Sequence, residues 1–420
     1  MNTQHNTQPA QAGDGTERIA LGTAAYRRMA LALLMAGFST FALLYSAQPL
    51  LPIFSAQFNI GAAQSSLAVS FATGAMALCF IPAGILSDRI GRRPLMIASL
   101  FAAALLTAVS AIVPEWHVFL LMRALTGIAL AGIPSVAMAY IAEEMDGASM
   151  GAAMGVYIGG SAIGGMVGRI GVTLLTEHFG WRPALGATAA AGLVAAALFW
   201  KAAPRSQAFV SRRHDLKSVV RATGRLLQDA ALPWLFAAGF VLMGAFVSIY
   251  NYVGFRLLAP PYSLSQSMVG AIFLLYIIGS ISSAWVGGLA GRIGRAKIFW
   301  IPIVAMLVGV AFTAAHSLIL MVLGIAVITG AFFGAHSVAS GWVGLRAGQD
   351  RAQAGSLYLL FYYLGSSILG SAGGIAWNLD RWNGVALFAM VLVFIAFCIA
   401  GRLTTVTPLA STRSQLTKTT

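Results

Sequence analysis

Long apolar stretches separated by short polar ones repeat along almost the whole chain of 420 residues. The apolar stretches are about 18 to 28 residues long and show no alternation of polar and apolar positions, which is typical of membrane-spanning helices. Lipid offers the backbone no hydrogen-bond partner, so a segment of this kind must be helical. We predict an all-α membrane protein with twelve transmembrane helices, at residues 28–51, 62–85, 94–113, 117–141, 148–175, 182–201, 232–257, 264–288, 298–315, 317–342, 353–376 and 384–402.

The composition agrees with this pattern, since 59% of the residues are hydrophobic and the mean hydropathy is +0.82, which excludes an ordinary soluble protein. Residues 1–27 are polar and lack the apolar core and cleavage site of a secretory signal, so we expect a cytoplasmic tail. Cys79 and Cys398 both fall within predicted spans and predict no disulfide.

The positions of Lys and Arg predict the orientation of the chain. All but five of the 26 basic residues fall in the two tails, in residues 202–231 or at the ends of spans that a cytoplasmic N-terminus would place inside. The exceptions are Arg123, Arg169, Arg182, Arg256 and Arg381. We therefore expect both termini in the cytoplasm of a bacterial cell, with the spans in its inner membrane. The net charge of +14 then follows from topology, and we expect no nucleic-acid partner.

An internal repeat divides the chain. GILSDRIGRR at 84–93 recurs as GGLAGRIGRA at 287–296, and YIGGSAIGG at 157–165 corresponds to YYLGSSILG at 362–370, at offsets of 203 and 205 residues. The long polar segment 202–231 lies between the two copies. We predict two related six-helix bundles at 28–201 and 232–403, a cytoplasmic linker at 202–231 and a cytoplasmic tail at 404–420.

The first copy of the repeat resembles the signature loop of the major facilitator superfamily. The matching residues are Gly84, Asp88, Arg89, Gly91, Arg92 and Arg93. YSAQPLLPIF at 45–54 and GVYIGGSAIGG at 155–165 resemble the YnfM-type branch of the drug-proton antiporter group. The resemblance covers nearly the whole chain. It implies a secondary transporter that alternates between inward-facing and outward-facing states and binds its substrate between the bundles.

The signature loop is expected to act as a gate. The resemblance implies that Asp88 contacts the start of the eleventh helix, near Ala352 to Gly355, and latches the two halves at the inside. Glycine at positions 84 and 91 would allow close helix approach and a tight turn. The alternative is that the loop serves only as a positive-inside topology signal.

Two arginines lie inside predicted spans, where ionisable groups are costly and indicate function. Arg123 matches the family's fourth-helix arginine in LMRALTG, which the resemblance implicates in proton coupling. Its alternative is a structural arginine satisfied by backbone carbonyls. Arg169 stands where the family's antiporter motif has a proline, and its alternative is snorkelling to the outer interface.

The glycines of the fifth span predict close helix packing, with only a partial match to the antiporter motif. They are Gly151, Gly155, Gly159, Gly160, Gly164, Gly165, Gly168 and Gly171.

None of the twelve acidic residues falls in the middle of a span, although a transporter of cationic drugs usually needs a buried carboxylate. The embedded charge is positive, which favours an anionic or neutral substrate. His336 in the tenth span titrates in a range suited to proton coupling, and its alternative is a packed, hydrogen-bonded histidine.

Polar and aromatic residues on the helices that line the family's cavity complete the candidate site: Tyr45, Gln48, Tyr157, Tyr250, Asn251 and Tyr362. No motif for a metal, cofactor or nucleophile is present, so we predict neither an enzyme nor a cofactor. We expect a monomer that exports a small organic compound in exchange for protons. Import of a small organic anion and a receptor that does not transport are the alternatives.

Overall fold

The computed structural model describes residues 18–206 and 216–406. Within these ranges eleven helices are long and apolar enough to cross a membrane, and the last of them crosses twice. We number the crossings as span 1 to span 12. Spans 1 to 6 are Ala24–Gln57, Ala62–Ile90, Arg92–Ile112, Trp116–Glu144, Met150–Phe179 and Trp181–Ala202; spans 7 to 10 are Leu232–Leu258, Gln266–Ile293, Arg295–Thr313 and Leu318–Arg346; spans 11 and 12 are residues 351–379 and 382–404.

The prediction of an all-α membrane protein is confirmed, and each predicted span has its helix. The twelve crossings form two six-helix bundles, spans 1 to 6 and spans 7 to 12. Because six is even, the linker between the bundles and both ends of the described chain lie at one face, which we call the linker face. The opposite face is the far face. The predicted tails fall largely on 1–17 and 407–420, outside the described residues.

Glycines bring corresponding helices into contact in the two bundles. A Cβ atom at Gly160 in span 5 would collide with the Leu34 carbonyl of span 1, and one at Gly365 in span 11 would collide with the Phe240 carbonyl of span 7. Small residues allow this approach of two backbones in lipid. The packing interpretation is confirmed for Gly160, Gly164 and Gly168, whereas an added Cβ would meet nothing within 4 Å at Gly151, Gly155, Gly159 and Gly171.

The turns at the far face also correspond. Gly180, with φ 82°, precedes the buried Trp181 of span 6, and Arg381, with φ 46° and ψ −130°, precedes the buried Trp382 of span 12. Glycine adopts a positive φ without strain, but an arginine does not. The same turn is therefore relaxed in the first bundle and strained in the second.

The linker ends in a short helix, Leu216–Gln228, that lies on the second bundle. Arg225 of this helix donates a hydrogen bond of 3.0 Å to Asp350, between spans 10 and 11. Asp229, after the helix, accepts hydrogen bonds from two backbone amides at the start of span 7 and forms an ion pair of 2.6 Å with Arg346. Partial burial raises the pKa of the Asp229 carboxyl, but these hydrogen bonds outweigh that effect and hold its pKa below the usual value.

Spans 1 and 8 are irregular near the middle of the protein. Span 1 has an α-helix that ends at Tyr45 and continues through a 3₁₀ turn, Gln48–Leu50. Pro49 and Pro52 cause this change, because each lacks the amide hydrogen that a regular helix requires. Span 8 contains a 3₁₀ segment, Ala271–Leu275. The two irregular segments lie on either side of the candidate site.

Candidate functional site

Arg169 lies at the junction of the two bundles and is only 3% exposed. Its Nε donates a 2.7 Å hydrogen bond to the Gln48 side-chain oxygen, and its Nη1 donates one of 2.6 Å to the Gly165 carbonyl of its own helix. No acidic residue in the described part of the chain pairs with it. The side chain points inward, so the snorkelling alternative is wrong.

Aromatic rings surround the Arg169 guanidinium. Its central carbon lies 4.2 Å from the ring centre of Tyr45 in span 1, and 5.2 and 5.1 Å from those of Phe273 and Tyr276 in span 8. The electron-rich faces of such rings attract a cation. Phe273 belongs to the 3₁₀ segment of span 8, and Tyr45 is the last residue of the regular helix before the break in span 1, so the cage forms where both helices change their geometry.

A chain of hydrogen bonds runs from Arg169 into the second bundle. The Gln48 side-chain amide, which accepts from Arg169, donates a 2.9 Å hydrogen bond to the Asn251 side-chain oxygen of span 7. Asn251 donates in turn to the Gly370 carbonyl of span 11, at 3.4 Å. Gln48 and Asn251 are 2% and 1% exposed, so the chain is closed to solvent. The sequence predicted Arg169, Gln48 and Asn251 separately, and the structure brings them together.

Tyrosines gather around this centre from both bundles. We define the tyrosine cluster as Tyr45, Tyr157, Tyr250, Tyr276, Tyr358, Tyr362 and Tyr363, each of which is close to at least one other member. Tyr250 forms a 2.7 Å hydrogen bond with Thr329 of span 10. The predicted Tyr45, Tyr157, Tyr250 and Tyr362 all belong to the cluster.

Two buried hydroxyl groups at the cluster are unpartnered. The Tyr157 hydroxyl and the Ser366 hydroxyl have no hydrogen-bond partner within the described residues. Tyr45 lies beside Ser366, but without the geometry of a hydrogen bond. A buried polar group without a partner costs about 1–3 kcal/mol, so these hydroxyls indicate a place for a polar ligand or for water.

His336 of span 10 also joins the cluster. Its Nδ1 lies 2.9 Å from the Tyr358 hydroxyl, and its ring centre lies 4.7 Å from that of Tyr362. The alternative of a packed, hydrogen-bonded histidine therefore describes its surroundings. Its role in proton coupling stays a prediction.

Arg123 is completely buried in the first bundle, and within the described residues it donates hydrogen bonds only to backbone oxygens. Its Nε donates to the Ala68 carbonyl of span 2 and its Nη1 to the Leu43 carbonyl of span 1, both at 3.1 Å, while its Nη2 donates to the Leu44 carbonyl. Leu43 and Leu44 lie in the last turn of the α-helix before the break in span 1, where cations stabilise exposed carbonyls. This contact pattern is the one expected of a structural arginine.

The signature loop forms a charge network at the linker face. Asp88 pairs with Arg92, and Arg92 forms a 2.8 Å ion pair with Glu143 at the end of span 4. Gly91 has φ 100°, so the turn between spans 2 and 3 requires glycine. The prediction of a close approach at Gly84 is wrong, because an added Cβ would meet nothing within 4 Å.

The other basic residues of the loop differ in their surroundings. Arg93 donates hydrogen bonds of 2.9 and 2.8 Å to the Ala203 and Trp200 carbonyls at the end of span 6, whereas Arg89 is exposed. The contact of Asp88 with the start of span 11 stays a prediction.

Further contacts join the bundles on the far side of the site. The Ser70 and Ser371 hydroxyls of spans 2 and 11 are 2.6 Å apart. The Ser267 amide of span 8 donates a 2.7 Å hydrogen bond to Glu177 at the end of span 5. A small void between Gln48, Asn251 and their neighbours measures about 10 Å³, which holds at most about one water. The far side of Arg169 is therefore tightly packed.

Sequence reasoning missed Phe273, Tyr276, Tyr358 and Ser366. Tyr276 and Tyr358 could have been found, because both are tyrosines within predicted spans: Tyr276 lies in the middle of 264–288 and Tyr358 near the start of 353–376. Phe273 and Ser366 resemble ordinary residues of membrane helices, and only the packing of spans 1, 5, 8 and 11 brings them to the site.

Comparison with known proteins gives consistent results. The sequence model described as Major Facilitator Superfamily matches residues 30–281. The uncharacterized MFS-type transporter YybF of Bacillus subtilis is 41% identical over 382 residues, covering 91% of this chain and 95% of that protein. The inner membrane transport protein YnfM of Escherichia coli is 42% identical over 382 residues, covering 91% and 92%.

Two solved structures share the fold. A bacterial homolog of the human lysosomal transporter Spinster, in an inward-facing and occupied conformation, has a TM-score of 0.75 at 15% identity, with 91% of this chain and 97% of that chain covered. A mutant of the nucleoside transporter NupG has a TM-score of 0.73 at 19% identity, with 89% and 99% covered.

Proposed function

The chain belongs to the Major Facilitator Superfamily and is a membrane transporter, and we propose that it exports a small organic compound in exchange for protons. The observation that carries the proposal is the buried Arg169 site between the bundles, which Gln48 links to Asn251 of the opposite bundle. A site shared by two rigid bundles becomes accessible from either face when they rock against each other. Residues 28–201 and 232–403 are then the two moving domains, and residues 202–231 connect them.

The described contacts support a conformation that is closed at the far face. The bonds between Gln48 and Asn251, between Ser70 and Ser371, and between Ser267 and Glu177 all lie from the middle of the protein to that face. With the linker face in the cytoplasm, as the basic residues favour, the closed far face is the outer side of the membrane. The transporter acts as a monomer in the bacterial inner membrane, because one chain supplies both halves of the site.

His336 carries the coupling proton in this proposal. Among the predicted site residues it is the one histidine, the side chain whose ordinary pKa lies nearest to neutral pH. Its ring contacts Tyr358 and Tyr362 of the tyrosine cluster. We expect His336→Gln to bind substrate but to lose stimulation by a proton gradient. Tyr358→Phe, which removes the hydrogen-bond partner but keeps the histidine, is the matched variant and should retain part of the stimulation.

A second candidate is proton-linked import of a small organic anion. The specific observation in its favour is that Arg169 is a buried cation without an acidic partner in the described residues. Export and import use the same site and differ only in the direction of the net flux.

Transport in inverted membrane vesicles separates these functions. We expect an imposed proton gradient to drive labelled substrate into the vesicles, which corresponds to export from the cell. Uptake only in right-side-out vesicles would favour import instead. Binding of substrate without flux in either orientation would contradict a transport function and favour a receptor.

The gating loop provides a further test. Asp88 lies at the linker face and pairs with Arg92. We expect Asp88→Asn to reduce the transport rate severalfold while leaving expression and substrate affinity near the wild-type values. Cysteines placed at the linker face should at the same time react faster with a thiol reagent added from the cytoplasmic side. Wild-type rates with unchanged accessibility would show that Asp88 is not part of a gate.

A further inference from the structure

The Gln48 side-chain oxygen occupies the place on Arg169 where an anion would bind. It lies 2.7 Å from Nε, one of the N–H donors through which guanidinium groups also bind carboxylates. Within the described residues, the hydrogen bonds of Arg169 involve only Nε and Nη1. Its Nη2 group therefore donates to no acceptor within the described residues. A carboxylate bound at Nε and Nη2 would satisfy it.

The charge of the site limits the ligand to one negative charge. Arg123, the other buried arginine of the first bundle, already donates to three carbonyls and is turned toward the break in span 1. Arg169 is then the one buried cation of the described site with free donors. A second negative charge would lie in a low-dielectric region without a partner, which is costly.

The walls of the site suit a flat aromatic body. The far side of Arg169 leaves a void of only about 10 Å³, so the body of a ligand must extend toward the linker face. Tyr45 and Tyr362 lie in that direction, with the unpartnered Ser366 hydroxyl beside Tyr45. Aromatic pairs contribute about 0.5–1.5 kcal/mol beyond the burial of area, so tyrosine walls favour an aromatic ring over a saturated one.

We propose that the ligand is a small aromatic monocarboxylate, whose carboxylate replaces the Gln48 side chain on Arg169. This inference rests on the proposed function, because it names the substrate class of the same site. Displacement of Gln48 breaks its hydrogen bond to Asn251 and so removes a contact that holds the bundles together at the far face. Ligand binding therefore favours opening toward the far face, because both require the Gln48 side chain to leave its present position.

Calorimetric titration of the purified full-length protein, without a proton gradient, tests the ligand class. The probes are benzoate, its neutral isostere benzamide, the saturated cyclohexanecarboxylate and the dianion isophthalate. We expect benzamide to bind about 10 to 100 times more weakly than benzoate, as the loss of charge-assisted hydrogen bonds predicts. We expect cyclohexanecarboxylate to bind about 2 to 10 times more weakly, and isophthalate more weakly than benzoate.

Substitution of Gln48 tests the mechanism without removing the arginine. Gln48→Glu places a permanent carboxylate beside Arg169, so we expect a folded protein whose affinity for benzoate falls at least about 10-fold. Gln64→Glu is the matched control, because Gln64 is exposed at the start of span 2, where glutamate also caps a helix. It should bind benzoate as the wild type does. Arg169→Lys should retain weak binding, because lysine keeps the charge but loses the two-pronged geometry.

The outcomes separate this inference from the proposed function. Equal affinities for benzoate and benzamide, wild-type affinity in Gln48→Glu, or no binding of benzoate at all would overturn the inference. Proton-driven flux of a neutral compound in vesicles, together with any of those results, would leave the proposed transport function standing. Benzoate binding without flux of benzoate would instead overturn the transport function and retain the ligand class.

Discussion

Removal of the Arg123 side chain should destabilise the whole first bundle. Three carbonyls, those of Ala68, Leu43 and Leu44, lose the Arg123 donor in Arg123→Ala, and that of Leu43 keeps only its 3.0 Å hydrogen bond from the Ser46 hydroxyl. Each buried acceptor left without a partner costs about 1–3 kcal/mol, while removal of a desolvated charge returns part of that cost. We therefore expect a loss of about 3–5 kcal/mol in the free energy of unfolding.

The lysine variant provides a graded comparison. An ammonium group keeps the charge but is compact and cannot reach three carbonyls in different directions, so Arg123→Lys should cost about 1–2 kcal/mol. Arg182→Ala is the control, because Arg182 is half-buried at the far face and donates to one carbonyl, that of Val113. Its cost should be below about 1 kcal/mol.

Thermal unfolding of the purified variants measures these differences, with transport per folded molecule as the second readout. The Arg123→Ala variant should unfold about 5–10 °C below the wild type. An Arg123→Ala protein as stable as the wild type would refute the structural role. A stable Arg123→Lys protein that transports without proton coupling would instead support the role implied by the family.

Three further predictions concern packing, backbone strain and charge. Gly164→Ala should lower the unfolding temperature by several degrees, because its Cβ would collide with the backbone of span 1, whereas Gly155→Ala, with open space around it, should not; equal effects would contradict the packing. Arg381→Gly should raise the free energy of unfolding by about 1 kcal/mol by relieving its positive φ, as thermal unfolding can measure; a decrease would contradict the strain. Asp229→Asn should cost about 1 kcal/mol at neutral pH by weakening the pair with Arg346. Because the folded pKa of Asp229 lies below its unfolded value of about 4, this cost should vanish as the pH falls through the folded pKa, and a cost that persists there would contradict the assignment.

The helices could be predicted from the sequence because each must satisfy its own backbone in lipid. The internal repeat likewise predicted that Gly160 and Gly365 occupy corresponding places, and both contact a partner helix. The sequence also identified Arg169 as an ionisable residue too costly to bury without a reason, and the resemblance to the family placed Gln48 and Asn251 on helices that line its cavity.

The arrangement of the site could not be predicted in this way. The contact of Gln48 with Arg169 depends on the break in span 1, which turns the Gln48 side chain toward span 5. The aromatic cage around Arg169 also depends on the 3₁₀ segment of span 8. This segment contains no proline from which it could have been predicted. The direction of the Arg169 side chain was equally open, because an arginine at that depth reaches either the lipid interface or the interior.

The repeat places Gly374 where the first bundle has Arg169, so the fixed charge of the site belongs to one bundle alone. An empty carrier then moves an uncompensated positive charge through part of the membrane's electric field when its bundles rock, whereas a carrier loaded with a monoanion moves a neutral pair. The full membrane field acts on one elementary charge with about 2.3 kcal/mol per 100 mV. The rate at which the empty carrier changes its orientation should therefore depend on the membrane voltage. The corresponding rate of the loaded carrier should depend on it very little.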